Sequence, residues 1–311
     1  MYRSQEIMSS EDKRSQSNRD ELAERLGRRC TNDGATPVAE GLQFFRHSAP
    51  TQPVHGLYSP SICIIAQGAK EVSVGDYSFR YDPAHFVLCS LDLPVVTQVV
   101  EATGEKPFLG LKLDLDPGLI ASVSVESGVA PGRPDSSVRS IAVSKLEGDL
   151  LDAFVRLIRL LDNPTDYKVV SPLVTREIIY RLLVSDQGPR IRQMAVFSGY
   201  THRITKAVQL LKTKFSESLS IEDLASDLGM SVSSFHQHFK TATSMSPLQF
   251  QKLLRLQEAR RLLLTEDVDA SSAAARVGYD DASQFTREYK RLFGSPPMRD
   301  VGRLKQLTAA S

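Results

Sequence analysis

Between residues 41 and 114 the apolar positions come in short runs, several alternating with polar ones, and turn formers close each run: GLQFFRHS, SICIIAQG, KEVSVGD, YSFRYD, HFVLCS, PVVTQVV and PFLGLKLDL. Seven β-rich runs at this spacing predict a small barrel or sandwich. VSVGDYSFR sets Gly75 and Asp76 between alternating residues, a hairpin signal. After Asp116 and Pro117 the period lengthens. LEGDLLDAFVRLIRLLDN places Leu151, Phe154, Val155, Ile158 and Leu161 on one stripe, and SPLVTREIIYRLLVSDQG places Leu173, Ile178, Arg181 and Leu182 on another. Both predict amphipathic helices, able to cap the sheet or to pair with a second copy of themselves. Ahead of the barrel, residues 1–40 are expected to form a flexible extension, the first 16 or so being polar and aperiodic, while SNRDELAERLGRRC carries helix formers with Leu22 and Leu26 at i, i+4 and offers one short helix.

The C-terminal third repeats itself. LASDLGMSVSSFHQHFKTATSMSP and AAARVGYDDASQFTREYKRLFGSPP align with Gly229 on Gly278, 49 residues apart, and with Phe235, Phe239, Lys240 and Pro247 on Phe285, Tyr289, Lys290 and Pro297, 50 apart. The offset implies one residue inserted in the second turn. Each copy reads as a short helix, a glycine suited to positive φ, a Ser or Asp cap, and a second helix anchored by aromatics at i, i+4. This is a helix-turn-helix stated twice. SPLQFQKLLRLQEARRLLLTEDV between the copies predicts a connecting helix of about 18 residues, roughly 27 Å long.

A B-DNA major groove admits one α-helix, so the residues such a helix turns outward can touch base edges while its inward aromatics fix it to its neighbour. In the first copy that assigns Ser233, His236 and Gln237 as base readers; in the second, Ala282, Ser283, Thr286 and Arg287. Arg suits guanine and Gln adenine, and Lys240 and Lys290 suit phosphate.

Residues 204–299 resemble the AraC/XylS family of transcription regulators on SIEDLASDLGMSVSSFHQHFK, SPLQFQKLLRLQEARRLLL and VGYDDASQFTREYKRLFGSPP, which match its two helix-turn-helix units, linker helix and closing Gly-x-Pro-Pro pattern in order. The resemblance implies promoter DNA and RNA polymerase as partners. Ser233 stands where many members carry a bulky or basic residue, which implies a weaker first reader. PTQPVHGLYSPSICIIAQGAKEVSVGD and YDPAHFVLCSLDLPVVTQVVEA are similar to the N-terminal sensor of a subset of these regulators, which implies a cupin-like β-barrel followed by helices that binds a small effector or dimerises. The expected fold is therefore α+β, with a cupin-like barrel plus helices over 41–190 as effector and dimerisation domain, and an all-α DNA-binding domain with two helix-turn-helix units over 200–304.

Composition changes this picture little. The formal charge of +1 hides an uneven split, +6 over residues 190–311 against −5 over 1–189, compatible with a C-terminal half that meets a polyanion. Three cysteines without a CxxC pair argue against disulfides or a zinc site, and there is neither a membrane-length apolar run nor a signal-peptide core, so a cytoplasmic protein with no membrane partner is expected. His47, His55 and His85 are singly spaced, without the clustered ligands of a catalytic cupin, and neither a nucleophile motif nor a phosphate-cradling loop occurs. No cofactor, no metal and no enzymatic activity are expected. For an effector, the strand residues Ile62, Cys63, Ile64, Val87 and Cys89 are pocket candidates, with the inward-facing alternate set left open; Cys63 or Cys89 would sense electrophiles only if a cation such as Lys70 or Arg80 favoured the thiolate. Two alternatives stand beside the effector-controlled regulator: a constitutive DNA binder whose front half only dimerises, and a cupin enzyme with a DNA-binding appendage.

Overall fold

The computed structural model describes residues 10–129, 139–195, 199–266 and 268–309, which fall into two units, Met1–His202 and Arg203–Ser311. The first begins with a 20-residue helix, α1 (Ser10–Arg29). The short helix expected around Leu22 and Leu26 is thus present and longer, and over residues 10–40 the expectation of a flexible extension is corrected: Leu22, Leu26 and Cys30 are buried in the main core, and strand β1 (Gly34–Ala39) follows. Residues 1–9 lie outside the described part. Docking of α1 is partly ionic. Glu21 accepts hydrogen bonds from Arg159 at 2.7 and 2.5 Å and from Arg25 at 2.7 Å, while Arg25 and Arg29 reach Asp162 at 2.5 and 2.6 Å. Such partners, more than 130 residues away, leave no local trace in the sequence.

Nine further strands follow: β2 (Leu42–His47), β3 (Val54–Tyr58), β4 (Ser61–Gln67), β5 (Ala69–Val74), β6 (Tyr77–Tyr81), β7 (His85–Cys89), β8 (Leu93–Glu101), β9 (Phe108–Asp114) and β10 (Ile141–Lys145). They form a six-stranded sheet, β1-β2-β9-β4-β7-β10, and a four-stranded one, β3-β8-β5-β6, with every pairing antiparallel. The seven runs read from the sequence are β2 and β4 to β9. The other three are sheet edges: β1 contains Pro37, β3 contains Gly56, and β10 lies beyond the barrel sequence, after α2 (Pro117–Glu126). Gly75, at φ 60, and Asp76 make the two-residue turn between β5 and β6, where Val74 pairs with Tyr77.

One face of the larger sheet is covered by α1, α2, α3 (Gly148–Leu160), α4 (Pro164–Val184) and α5 (Gly188–Met194). Phe44, Ile62, Ile64, Phe86, Leu88 and Leu111 share that core with Phe154, Ile158, Ile178 and Leu182. The stripe expected on α4 needs one change. Ile178 and Leu182 are buried, but Leu173 is 64% exposed and aligns instead with Val169, Tyr180 and Val184 on the outer side of the helix.

The second unit begins within α6 (Gly199–Thr213) and is helical, continuing with α7 (Ile221–Asp227), α8 (Val232–Thr243), α9 (Pro247–Thr265), α10 (Ala270–Arg276), α11 (Ala282–Phe293) and α12 (Pro297–Ala309). Helices α7 and α10 start 49 residues apart and α8 and α11 start 50 apart, so the inserted residue sits in the second turn, as the repeat implies. Ser220, Ser231, Asp269 and Asp281 each cap the helix that follows by accepting from its first turn, and Ser246 and Gln249 close a capping box on α9. With 19 residues, α9 is the connecting helix read from the sequence.

Candidate nucleic-acid interface and barrel interior

Each helix-turn-helix is held by aromatics. Phe235 and Phe239 are fully buried on α8 with ring centroids 5.5 Å apart, and Phe239 meets Phe250 of α9 edge-on at 5.5 Å. On α11, Phe285, Tyr289 and Phe293 repeat the arrangement, with Tyr279 from the turn against Phe285 at 5.3 Å. Tyr279 also donates to Glu288 at 2.8 Å, and Lys252 of α9 pairs with the same carboxylate at 3.0 Å. These contacts leave one rotation of each helix about its axis, and so decide which residues face outward.

The outward faces match residue for residue. On α8, Ser233, Gln237 and Lys240 are exposed and His236 is half-buried; on α11, Ala282, Ser283, Arg287 and Lys290 are exposed and Thr286 is half-buried. Thr286 donates its hydroxyl to the Ala282 carbonyl at 2.9 Å, keeping an acceptor and a methyl for a partner. The sequence reading overlooked Arg291, which is exposed one turn beyond Arg287; the i, i+4 spacing of the two arginines was the available signal. Arg287, Lys290 and Arg291 thus give α11 three outward cations. The same positions of α8 carry Gln237, Lys240 and Thr241.

The five pocket candidates divide between two faces. Ile62 and Ile64 belong to the core under the helices and do not line the space between the sheets. Cys63, Val87 and Cys89 alternate with them and turn the other way, into the barrel, all three buried. Burial pushes both thiols up. Lys70 partly offsets this at Cys63, while Cys89 donates to the Leu91 carbonyl at 3.0 Å. Arg80 points outward to Glu101 at 2.5 Å and reaches neither thiol. Among the described residues, no three His, Cys, Asp or Glu side chains come together as a metal site would require, and His85 bonds Asp82 at 2.8 Å. No helix of the described residues is long and apolar enough to cross a membrane.

Two family models match in the order the two units stand, the AraC-type transcriptional regulator N-terminus over residues 38–190 and a helix-turn-helix domain over residues 224–300. The chain belongs to the AraC-type transcriptional regulators. Among curated relatives, this AraC-type chain is 27% identical over 161 residues to the HTH-type transcriptional activator RhaS of Salmonella schwarzengrund, a match covering 50% of this chain and 56% of the relative. It therefore spans about half the length of the curated relatives it matches. Among solved structures, ToxT from Vibrio cholerae aligns with a TM-score of 0.52 at 10% identity, over 84% of this chain and 97% of that one. ToxT with an unsaturated fatty acid bound aligns at 0.51 and 10%, over 83% and 94%. These likenesses establish a shared fold.

Proposed function

We propose that this AraC-type regulator binds promoter DNA through the outward faces of α8 and α11, held by α9, and that a small effector in the N-terminal unit controls its action. The observation that carries the reading is the pair of matching polar faces, each backed by a buried aromatic anchor. Base edges are read by Ser233, His236 and Gln237 in one groove and by Ala282, Ser283, Thr286 and Arg287 in the next; Lys240 and Lys290 bind phosphate. The protein acts in the cytoplasm beside RNA polymerase, and no catalytic step enters the scheme. The fold is shared with ToxT, of which one structure holds an unsaturated fatty acid, and this supports effector control.

The N-terminal unit further pairs with a second copy along the outer side of α4, where Val169, Leu173, Tyr180 and Val184 are 66%, 64%, 46% and 56% exposed. A dimer places two readers on each half of a symmetric operator.

Genome-wide footprinting of the full chain tests the proposal. It predicts discrete protected sites upstream of genes, with half-sites that lose occupancy separately when Gln237 or Arg287 is replaced. Occupancy no higher than on random duplex would overturn it.

A further inference from the structure

The β-barrel holds a lysine where its pairing partners are apolar. On β5, Lys70, Val72 and Val74 share one face, and the register sets Lys70 opposite Tyr81 on β6 and Val99 on β8. Val72, Val74, Tyr81 and Val99 are all buried, so this is the inward face. Contacts across the barrel agree. The Lys70 ammonium lies 5.8 Å from the ring centroid of Phe45, on the opposite sheet, and 5.8 Å from that of Tyr58. Both distances are within cation–π range.

Among the described residues, the charge of Lys70 has no carboxylate to meet. Lys112, in contrast, pairs with Asp114 at 2.8 Å and donates to Ser59 at 2.8 Å. Among the described residues no carboxylate lies within ion-pairing distance of Lys70, and the acidic group nearest to acting on it, the Cys63 thiol, is held in its neutral form by burial. Burial also lowers the pKa of the Lys70 ammonium. A half-buried cation with no carboxylate partner is costly, and an anion would offset that cost.

Open space adjoins this cation. Lys70, Phe45 and Tyr58 each keep partial exposure although they face the interior. Gly56 pairs with Val95 on the same inward side of β3 as Tyr58, and nothing lies within 4 Å of where a Cβ at Gly56 would sit. The walls of this space are flat. Phe79 packs between Tyr77 and Tyr81 at 5.4 and 6.3 Å.

The geometry points to a binding site for a small organic anion in the barrel interior, a carboxylate on a flat unsaturated body, with Lys70 as counter-ion and the aromatic rings as walls. This deepens the effector reading above and rests on it. The ammonium takes the carboxylate in a charge-assisted hydrogen bond, and the rings of Phe45, Tyr58 and Tyr81 bury the apolar part.

The test is calorimetric titration of the full chain with benzoate, cinnamate and 1-naphthoate, each beside its primary amide. At least one acid should saturate, its amide binding about tenfold more weakly or worse, because a hydrogen bond to a charged group is lost. Lys70→Met should lose the acid by a similar factor and Lys70→Arg should keep it. Gly56→Leu fills the space without touching the charge and should also lose it, which covers the case in which Lys70→Met does not fold. The site is overturned if no acid saturates at concentrations up to about 10 mM, if acid and amide bind alike, or if Gly56→Leu and Lys70→Met bind as the wild type does. Operator affinity, measured alongside, separates the two ideas. Lys70-dependent acid binding that leaves operator affinity unchanged sinks effector control but keeps the site; an uncharged compound that shifts operator affinity while no acid binds does the reverse.

Discussion

The carboxylate of Asp300, at the start of α12, is fully buried and receives both ends of the Arg260 guanidinium from α9, at 2.8 and 3.0 Å. Tyr289 of α11 donates to the same carboxylate at 3.1 Å, and the guanidinium lies 4.4 Å from the Phe293 ring. The Asp300 carboxylate therefore ties α9, α11 and α12 together.

Asp300→Ala is expected to destabilise the C-terminal unit by about 3–5 kcal/mol, because it leaves a largely buried guanidinium unpaired. Chemical denaturation of the variant measures this. The double variant Arg260→Met with Asp300→Leu should recover much of the loss; a double variant as unstable as the single one would show that the charge is not the cause.

The two turn glycines should differ in tolerance. Gly229 and Gly278 both sit at positive φ, 62° and 87°, where a side chain costs about 1–2 kcal/mol. A Cβ at Gly278 would also stand 2.0 Å from the Ser216 carbonyl oxygen, whereas one at Gly229 meets nothing closer than the Arg203 guanidinium at 3.8 Å. Gly278→Ala should therefore lower the unfolding midpoint clearly more than Gly229→Ala. Equal effects would mean that the Ser216 segment moves aside freely.

On DNA, Arg287→Ala should relax base preference in one half-site at a cost of about 1–3 kcal/mol. Lys290→Ala and Arg291→Ala should each weaken specific and random duplexes alike and lower the salt slope by about one. Equal losses on both duplexes for Arg287→Ala would mean that the outward face has been assigned wrongly.

Acid should loosen α1. Hydrogen bonds from Arg159, and then Arg25, hold the Glu21 carboxyl at about 2 against an ordinary 4.5, despite opposing desolvation. The folded state thus binds fewer protons than the unfolded one, and the stabilisation is present above pH 4.5 and fades as pH falls toward 2. Glu21→Gln should reduce hydrogen-exchange protection of α1 amides near pH 7, and its deficit against the wild type should close across that window. A deficit independent of pH would implicate packing instead.

The repeated unit was legible because its information is local. Caps, turn glycines and aromatics at i, i+4 lie within one helix or one turn, and an offset of 49 against 50 residues between copies needs no partner to be seen. The short helix around Leu22 and Leu26 was legible from their i, i+4 spacing, but the full length of α1 and its docking were hidden because its ion pairs reach residues 159 and 162. Edge strands β1, β3 and β10 were hidden because a short strand at a sheet edge, containing Pro or Gly in two of the three, takes its shape from the neighbour it pairs with.

By itself, then, the sequence determined two helix-turn-helix units joined by a helix, all but Arg291 of the outward residues named above, and a β-rich domain ahead of them. Tertiary structure alone decided the direction of each barrel side chain. The first six residues of β4 are buried on both faces, so hydrophobicity carries no alternation there and cannot tell Ile62 and Ile64, under the helices, from Cys63, inside the barrel. The register of β5 against β6 and β8 is what turns Lys70 inward. Strand pairing is a relation between distant segments, and it exists only once the sheets have formed.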